Sequence, residues 1–453
     1  MSKKVTLVGA GLVGSLLSIY LAKRGYKIEL FERRPDMRKA NIYAGKSINL
    51  ALSDRGWKGL EGVGIDEDIK KIAIPMYARA IHHKDGSTVH QAYGKDNQAI
   101  YSVSRAEINM RLMDLAEQQE NVNIHFNERC TSIDRSNLIA HFENGETHKT
   151  SSVQSDLLFG SDGAFAASRL NMQLSSDRFE YNQHYIDCGY KELIIPPGPN
   201  GEFLLEKNAL HIWPRGSFMM IALPNIDGNF TCTLFFPFEG EKSFAALKTR
   251  EQVQQFFEAE FPDALPLMPT LLDDYFNNPV SSLVTVKCFP WTFDNKVGLI
   301  GDAAHAIVPF YGQGMNCGFE DCVVLNDLID KHKEDWNKIF PEYEALRKPD
   351  GDAIADLAIA NFVEMRDRTA DPRFLLQKKI EAKFSAKYPD KWIPLYSMVT
   401  YSPHIRYSTA LKEGQKQEAI MQKIMAVVDV DKKWDSEEVE KEILQLLNFK
   451  NNI

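Results

Sequence analysis

The segment from Lys4 to Glu32 constrains the fold more than any other part of the chain. It opens with a short apolar run of strand length, followed by three glycines at G-x-G-x-x-G spacing, Gly9, Gly11 and Gly14. A helical stripe comes next, because apolar residues recur at Val13, Leu16, Leu17, Tyr20 and Leu21. Gly25 ends this predicted helix, and a second strand from Lys27 to Phe31 leads to Glu32.

This order of elements is typical of a Rossmann-like site for a dinucleotide. The first glycine permits a tight turn, the second lets the backbone approach a pyrophosphate, and the third packs the helix against the strand. The helix N-terminus supplies free N–H groups and a partial positive charge. Glu32 follows at the distance of about 20 residues that a ribose-binding acid takes. A membrane span needs about 20 unbroken apolar residues, so the three glycines argue against a membrane helix or signal peptide.

Length and composition limit the class of protein. The chain has 453 residues, enough for two or three domains, and its 44% hydrophobic and 25% charged content is ordinary for a globular protein. A net charge of −9 argues against nucleic-acid binding. The six cysteines are scattered and form no C-x-x-C pair, which predicts reduced thiols in a cytoplasmic protein and no zinc site.

A hairpin is predicted around Asp85 and Gly86, between two strand-like runs. With a three-residue loop, Arg79 would lie across from Tyr93, and the pair would suit a carboxylate. A two-residue loop would place them on opposite faces. The residues alone also allow a surface arginine beside an edge-strand tyrosine.

Several later segments suggest ligand-facing turns. Residues 104–107 form a capping box that puts Arg105 in the first turn of a helix, where a cation needs an anionic or polar partner such as a diphosphate. A strand from Asp156 to Phe159 leads to the glycine-flanked Asp162. A further strand ends at Asp302, and a glycine loop then precedes a helix predicted from Asn316 to Leu328.

Residues from about 179 to 285 predict an antiparallel sheet, because β-branched and aromatic residues dominate there. Five of its side chains could roof an aromatic substrate or simply belong to the core: Phe218, Met220, Phe235, Phe236 and Phe238. The last hundred residues predict helices. Asn361 falls on an apolar stripe and Tyr396 within an apolar segment, so both need hydrogen-bond partners.

Taken together, the glycine turn, the Asp162 segment and GDAAH resemble the single-component FAD-dependent aromatic hydroxylases over residues 1 to about 330. Further segments resemble the kynurenine 3-monooxygenase family more closely: INLALSDRG, PMYARAIH, YSVSR, HIWPR, PFYGQGMNCGFED, NFVEMR and IPLYSMVTYS.

The resemblance implies a FAD- and NADPH-dependent monooxygenase that hydroxylates L-kynurenine to 3-hydroxy-L-kynurenine with O2, through a flavin C4a-hydroperoxide. NADPH would dock transiently as co-substrate. The implied substrate residues are Arg79, Tyr93, Asn361 and Tyr396. The implied FAD residues are Gly9, Gly11, Val13, Gly14, Glu32, Arg34, Ala51, Arg105, Asp302, Gly314, Met315 and Asn316. No side chain is expected to act as acid or base, and no metal is expected.

The expected fold class is α/β: a Rossmann-like FAD-binding domain of the aromatic-hydroxylase type, an antiparallel β-sheet substrate domain and a helical C-terminal part. The FAD-binding domain is expected over 1–75, 101–178 and 286–345, the substrate domain over 76–100 and 179–285, and the helical domain over 346–453. Mitochondrial members of the family carry a C-terminal membrane anchor that this chain lacks, which points to a soluble, bacterial enzyme compatible with a homodimer. Alternatives are a hydroxylase of another aromatic acid, a flavin halogenase, or a flavoprotein without oxygen chemistry.

Overall fold

A computed structural model describes residues 3–39, 48–94, 98–365 and 371–449. Arg366, the last residue of the NFVEMR segment, lies outside the described residues.

The described strands lie between Lys4 and Leu299. They are β1 (Lys4–Val8), β2 (Lys27–Phe31), β3 (Asn49–Leu52), β4 (Ile74–Met76), β5 (Ala78–His82), β6 (Thr88–Ala92), β7 (Ile100–Ser104), β8 (Val122–His125), β9 (Glu128–Asp134), β10 (Ile139–Asn144), β11 (Thr150–Gln154), β12 (Leu157–Gly160), β13 (Glu180–Ile195), β14 (Ala209–Pro214), β15 (Met219–Pro224), β16 (Phe230–Pro237), β17 (Ser281–Phe289), β18 (Thr292–Phe293) and β19 (Val297–Leu299).

The helices lie between the strands and fill the C-terminal part. They are α1 (Leu12–Lys23), α2 (Asp54–Glu61), α3 (Asp66–Lys70), α4 (Arg105–Glu117), α5 (Ala167–Leu174), α6 (Arg250–Glu260), α7 (Leu271–Asn277), α8 (Asp302–His305), α9 (Gly314–His332), α10 (Trp336–Val363), α11 (Pro372–Lys387), α12 (Leu395–Thr400), α13 (Tyr407–Ile424), α14 (Val430–Lys433) and α15 (Glu437–Phe449). Two short 3₁₀ turns cover Leu265–Leu267 and Pro309–Tyr311.

The predicted N-terminal βαβ unit is confirmed. β1 pairs in parallel with β2 and with β12, at the centre of a six-stranded sheet of order β18-β19-β12-β1-β2-β8. Val5, Thr6 and Leu7 of β1 are all fully buried, and because successive side chains point to opposite faces, both faces of this strand are covered. Gly25 has a φ of +84° and follows the last turn of α1, so it ends the helix as predicted.

The predicted second sheet is also present, with seven strands in the order β17-β13-β16-β15-β14-β5-β6. Its pairings are antiparallel except for that of β5 with β14, which is parallel and differs from the fully antiparallel sheet expected from sequence. This pairing attaches the hairpin of β5 and β6 to strands more than a hundred residues later in the chain. The hairpin and residues 179–285 therefore share one sheet.

The long helix α10 leads from the part of the chain that forms the six-stranded sheet to the C-terminal helices. The expected domain limit at residue 346 falls inside this helix. The predicted stripe of α10 packs with α12 and α13, in an apolar cluster that includes Ile354, Leu357 and Ala358. All six cysteines are buried, and none forms a disulfide. Within the described part of the chain, no helix combines the length and hydropathy that a membrane crossing requires.

Candidate active site

A cavity of about 540 Å³ runs between the two large sheets. It begins at the glycine turn before α1, passes β3 and the start of α9, and reaches the inner face of the seven-stranded sheet. The residues expected from sequence that line it are Gly11, Val13, Arg34, Ala51, Arg79, Tyr93, Arg105, Asp302, Gly314, Met315 and Tyr396. Gly9, Gly14, Glu32, Asn316 and Asn361 are not among its lining residues.

The glycine turn explains why two of these residues do not reach the cavity. A Cβ on Gly9 would lie 2.6 Å from the Ser161 carbonyl oxygen, and one on Gly14 would lie 2.0 Å from the Gly9 carbonyl oxygen. Gly9 also has a φ of +103°, which favours glycine. Gly11 has open space on the corresponding side, so the backbone there can approach a ligand. No side chain caps α1, so its first N–H groups remain available.

Glu32 is held in place beside this turn. It is 5% exposed, and its carboxylate accepts hydrogen bonds from Ala10 N at 3.0 Å and from Arg34 Nε at 2.8 Å. Glu32, Arg34, Asn109 and neighbouring apolar side chains line a second, smaller cavity of about 80 Å³. Because Arg34 and Asn109 also line the large cavity, the two cavities are adjacent.

The start of α9 forms the opposite wall. Gly314 and Met315 line the cavity at the N-terminus of this helix, which begins two residues earlier than predicted. Asn316 is fully buried and faces away: its Nδ2 donates to Ala51 O and Gly312 O at 2.8 Å each, and its Oδ1 accepts from Ser53 N at 3.0 Å. The Asn316 side chain therefore fixes the loop and β3 around the cavity.

The hairpin register differs by two residues from the one in which Arg79 lies across from Tyr93. Arg79 pairs with Gln91, because the turn is centred on Asp85, where His83 N donates to Ser87 O at 2.9 Å, and not on Gly86. A two-residue shift keeps the same face, since side chains alternate along a strand. The Arg79 guanidinium carbon consequently lies 5.0 Å from the centroid of the Tyr93 ring and 4.9 Å from that of Tyr396.

The Arg79 end of the cavity contains polar groups that lack partners. The Arg79 Nε and the Tyr93 hydroxyl are buried without a hydrogen-bond partner among the described residues. Burial raises the pKa of Tyr93, and it does the same for Tyr396, so both hydroxyls stay protonated and can donate. The Tyr396 ring stacks between those of Tyr93 and Tyr311, with distances of 5.6 and 5.7 Å between the ring centroids. A guanidinium and donor hydroxyls at the end of a cavity form a site for a carboxylate.

The walls near Arg79 are apolar and come from alternate residues of the seven-stranded sheet. Phe235 lines the cavity, together with Met219 and Ile221, which the sequence did not single out. Phe218, Met220 and Phe236 point to the other face and belong to a core cluster with α6 and α7. Phe238 is outside the lining and packs near Phe244 at 6.4 Å. Of the five side chains that could roof an aromatic substrate, only Phe235 lines the cavity.

The comparisons with known proteins agree with this geometry. A family model described as "FAD binding domain" matches residues 2–358. A protein named kynurenine 3-monooxygenase from Flavobacterium johnsoniae is 51% identical over 446 residues, which cover 98% of this chain and 99% of that one. One of the same name from Dictyostelium discoideum is 48% identical and covers 94% of each chain. The chain belongs to the kynurenine 3-monooxygenase family.

Solved structures of more distant proteins share the fold of this family member. The tetrameric form of 2-methyl-3-hydroxypyridine-5-carboxylic acid oxygenase superposes with a TM-score of 0.65 at 19% identity, over 82% of this chain and 94% of that one. The tetracycline destructase Tet(51) superposes with a TM-score of 0.61 at 17% identity, over 90% and 98%. At these identities the likeness concerns the fold alone.

The cavity of this kynurenine 3-monooxygenase family member fits FAD. The open side of Gly11 admits a diphosphate, the oriented carboxylate of Glu32 can accept from a ribose, and the N-terminus of α9 offers N–H groups to the far end of the cofactor. Arg105 lines the cavity at the first residue of α4, where Ser104 Oγ accepts from Glu107 N at 3.5 Å, the N-cap half of the predicted box.

Asn361 and Asp162, which were singled out from the sequence, both have hydrogen-bond partners within the protein. Asn361 donates from Nδ2 to the Phe310 carbonyl oxygen at 2.7 Å, so its half-buried amide holds the loop that lines the cavity. Asp162 accepts from Ser168 N at 3.0 Å and therefore caps α5, while Gly163 and Ala164 of the same turn line the cavity.

A buried charge network behind the cavity was not found from sequence. His305 Nε2 lies 2.6 Å from Asp321 Oδ2, and Arg347 Nε donates to Asp321 Oδ1 at 2.6 Å. Burial opposes charge on His305, but Asp321 and Cys317 raise its pKa well above the usual value. His305, Cys317 and Asp321 are residue types that bind metals and lie close together, but Arg347 already contacts Asp321 and Cys317, so we assign them a structural role.

Proposed function

We propose that this chain is a FAD-dependent monooxygenase that hydroxylates L-kynurenine at carbon 3, consuming NADPH and O2 and releasing the hydroxylated product, NADP⁺ and water. One observation carries the proposal: the cavity that fits FAD ends at Arg79, whose buried Nε has no partner among the described residues. Kynurenine is an aromatic amine with an amino-acid tail, and its carboxylate supplies what that end of the cavity lacks.

The substrate tail would be held by three side chains. Arg79 and Tyr93 donate to the carboxylate, and Tyr396 closes the site by stacking on Tyr93. A charged donor beside hydroxyl donors binds a carboxylate more strongly than neutral donors alone. Asn361, which also matches the family pattern, would act through the Phe310 backbone that it orients.

The cofactor would be held from both ends. The diphosphate would contact Gly11, Val13 and the first N–H groups of α1. Gly9 and Gly14 shape the turn, and Arg105 adds positive charge. Glu32 accepts from the ribose and Arg34 borders the adenosine end. At the other end, Ala51, Asp302, Gly314 and Met315 surround the ring system, and the Asn316 side chain holds Ala51 in place.

The protein's part in the reaction is placement and exclusion of water. Bound FAD supplies the chemistry, since it uses electrons from NADPH to deliver one oxygen atom of O2 to the substrate ring. The amino group of kynurenine enriches the neighbouring carbon 3 in electrons, so no strong base is needed. Arg79 and Tyr93 fix the tail and thereby direct that carbon. Met219, Ile221 and Phe235 keep the reacting end dry.

The cysteines support a reducing compartment for this enzyme. All six are buried and none forms a disulfide, so a cytoplasmic location fits the chain. The relatives named above come from a bacterium and from Dictyostelium discoideum, so the family occurs in both bacterial and eukaryotic cells.

Mass spectrometry of the product tests the proposal directly. Purified protein, FAD, NADPH and air should convert kynurenine to a product one oxygen atom heavier, identical in retention to 3-hydroxykynurenine. The same mixture with 4-hydroxybenzoate should give no hydroxylated product, because that acid has no amino-acid tail to reach Arg79. Hydroxylation of 4-hydroxybenzoate but not of kynurenine would refute the proposed substrate.

A further inference from the structure

Arg55 is a completely enclosed arginine near the active site, and the function proposed above gives it no task. It is the second residue of α2 and its side chain is fully buried. It lies just after β3, whose Ala51 lines the cavity, and after Ser53. The Asn316 side chain holds both residues, because it accepts from Ser53 N and donates to Ala51 O. Burying a guanidinium is costly unless its donors are satisfied, so the partners of Arg55 indicate what it holds.

Those partners are mainly backbone carbonyls in the last turn of α12 and in the loop that follows it. Arg55 Nε donates to Val399 O at 2.6 Å, and Nη2 donates to Met398 O at 3.1 Å and to Ser402 O at 3.3 Å. Nη2 also donates to Ile405 O. The last carbonyls of a helix have no partner within the helix, and the helix dipole places negative charge there. Arg55 thus provides both the donors and the charge that this helix end requires.

The remaining contacts fix the guanidinium itself. Nη1 donates to Glu320 Oε1 at 2.5 Å, and the guanidinium carbon lies 4.0 Å from the centroid of the Tyr407 ring. Glu320 belongs to α9, the helix whose N-terminus borders the cavity, and its other oxygen accepts from Arg347 at 2.7 Å. Arg55 therefore ties α12 to the helix at the FAD end of the cavity.

The helix held in this way carries a residue of the substrate site. Tyr396 is the second residue of α12, stacks on Tyr93 and lies 4.9 Å from the Arg79 guanidinium carbon. We propose that Arg55 is a positioning residue for substrate binding: by fastening the C-terminal end of α12 to α9, it sets where Tyr396 stands against Arg79 and Tyr93. This inference rests on the proposed function, because it assigns Tyr396 to the substrate tail.

The alternative is that Arg55 only stabilises the fold, and a set of variants separates the two. Arg55→Met keeps the length and removes the donors, and Arg55→Lys keeps the charge with fewer donors. Ile443→Ala, which weakens the distant C-terminal core, serves as a control for general loss of stability. FAD content, the thermal midpoint and the Kd for kynurenine, read from the flavin absorption change, are measured for each.

We expect Arg55→Met to keep FAD and to raise the Kd for kynurenine about 10- to 100-fold, as a misplaced contact typically does. Arg55→Lys should fall between wild type and Arg55→Met, and it gives the same test if Arg55→Met does not fold. Ile443→Ala should leave the Kd unchanged despite a lower thermal midpoint. A Kd unchanged in both Arg55 variants would overturn the inference.

A double-mutant cycle with Tyr396→Ala tests whether Arg55 acts through Tyr396. Once Tyr396 is absent, Arg55→Met should raise the Kd by less than about threefold, since there is no side chain left to position. Fully additive effects would overturn the inference and leave Arg55 a purely structural residue. Failure of wild-type protein to bind kynurenine would instead refute the proposed function, so the two failures are distinguishable.

Discussion

Arg79→Ala is the perturbation that bears most directly on the proposed substrate. The Arg79 guanidinium sits against Tyr93 and Tyr396, and its Nε has no hydrogen-bond partner among the described residues. In the complex it would be the only strong positive partner for the substrate carboxylate that the described lining near these tyrosines offers. Removing one partner of a buried, hydrogen-bonded charge pair costs about 2–5 kcal/mol.

That cost converts to a rise of about 30- to 4,000-fold in the Kd for kynurenine, at about 1.4 kcal/mol for each factor of ten. FAD content should not change, because the FAD end of the cavity is formed by other elements. The Kd is measured by titrating the flavin absorption with kynurenine. Gln91→Ala is the matched control, since Gln91 pairs with Arg79 across the hairpin but is exposed.

A second ligand sharpens this test. The compound 2-aminoacetophenone keeps the aromatic amine and the ketone of kynurenine but has no amino-acid tail. Its affinity should be weak and should be the same in wild type and Arg79→Ala. Equal kynurenine affinity in the two proteins, or a parallel loss for both ligands, would refute the assignment of Arg79 to the carboxylate.

Three further variants probe other parts of the site and the fold. Glu32→Ala leaves Ala10 N without its acceptor and should weaken FAD retention by about 1–3 kcal/mol; purified protein with an undiminished flavin-to-protein absorbance ratio would contradict this. Tyr93→Phe removes a hydroxyl that has no partner among the described residues, so the Kd for kynurenine should rise about five- to tenfold while the thermal midpoint does not fall. Burial lowers the pKa of His211 to about 4. An unfolded histidine titrates near 6.5, so the unfolded chain takes up a proton that the folded chain refuses, and stability should fall by up to about 3 kcal/mol as the pH drops from about 6.5 to about 4. Urea unfolding across this range should show a shallower fall for His211→Gln but not for a substitution of the exposed His184, and an equal fall in all three proteins would refute the His211 assignment.

The sequence was sufficient for the parts of the fold that local patterns determine. The βαβ unit around Gly9, Gly11 and Gly14 follows from periodicity and glycine spacing, and its strand and helix limits match the structure closely. The residues alone left open whether Arg79 and Tyr93 share a face of the hairpin, and the structure places them on the same face. The register depends on the turn being centred on Asp85, whose Oδ1 accepts from Ser87 N at 2.9 Å.

Other features were not predicted, and two of them depend on tertiary contacts that no local pattern encodes. Phe235 faces the cavity while its neighbour Phe236 faces α6 and α7. The alternation of Thr231 and Thr233 with Phe235 along β16 carried this signal, but it did not enter the prediction. The parallel pairing of β5 with β14 joins residues far apart in the chain. Arg55 gave no signal because its acceptors are backbone carbonyls, which any residue type provides.

Under the proposed function, the position of Arg79 along β5 sets the distance between the flavin and the group that anchors the substrate carboxylate. Pairing with β6 and β14 fixes β5 in place. Side chains two residues apart on a strand point to the same face and lie about 7 Å apart. Relocating the guanidinium from position 79 to position 81 would move the anchoring point by one such step while the flavin end stayed where it is. On that proposal, this strand would select ligands by the length of their chain and not by the nature of their ring.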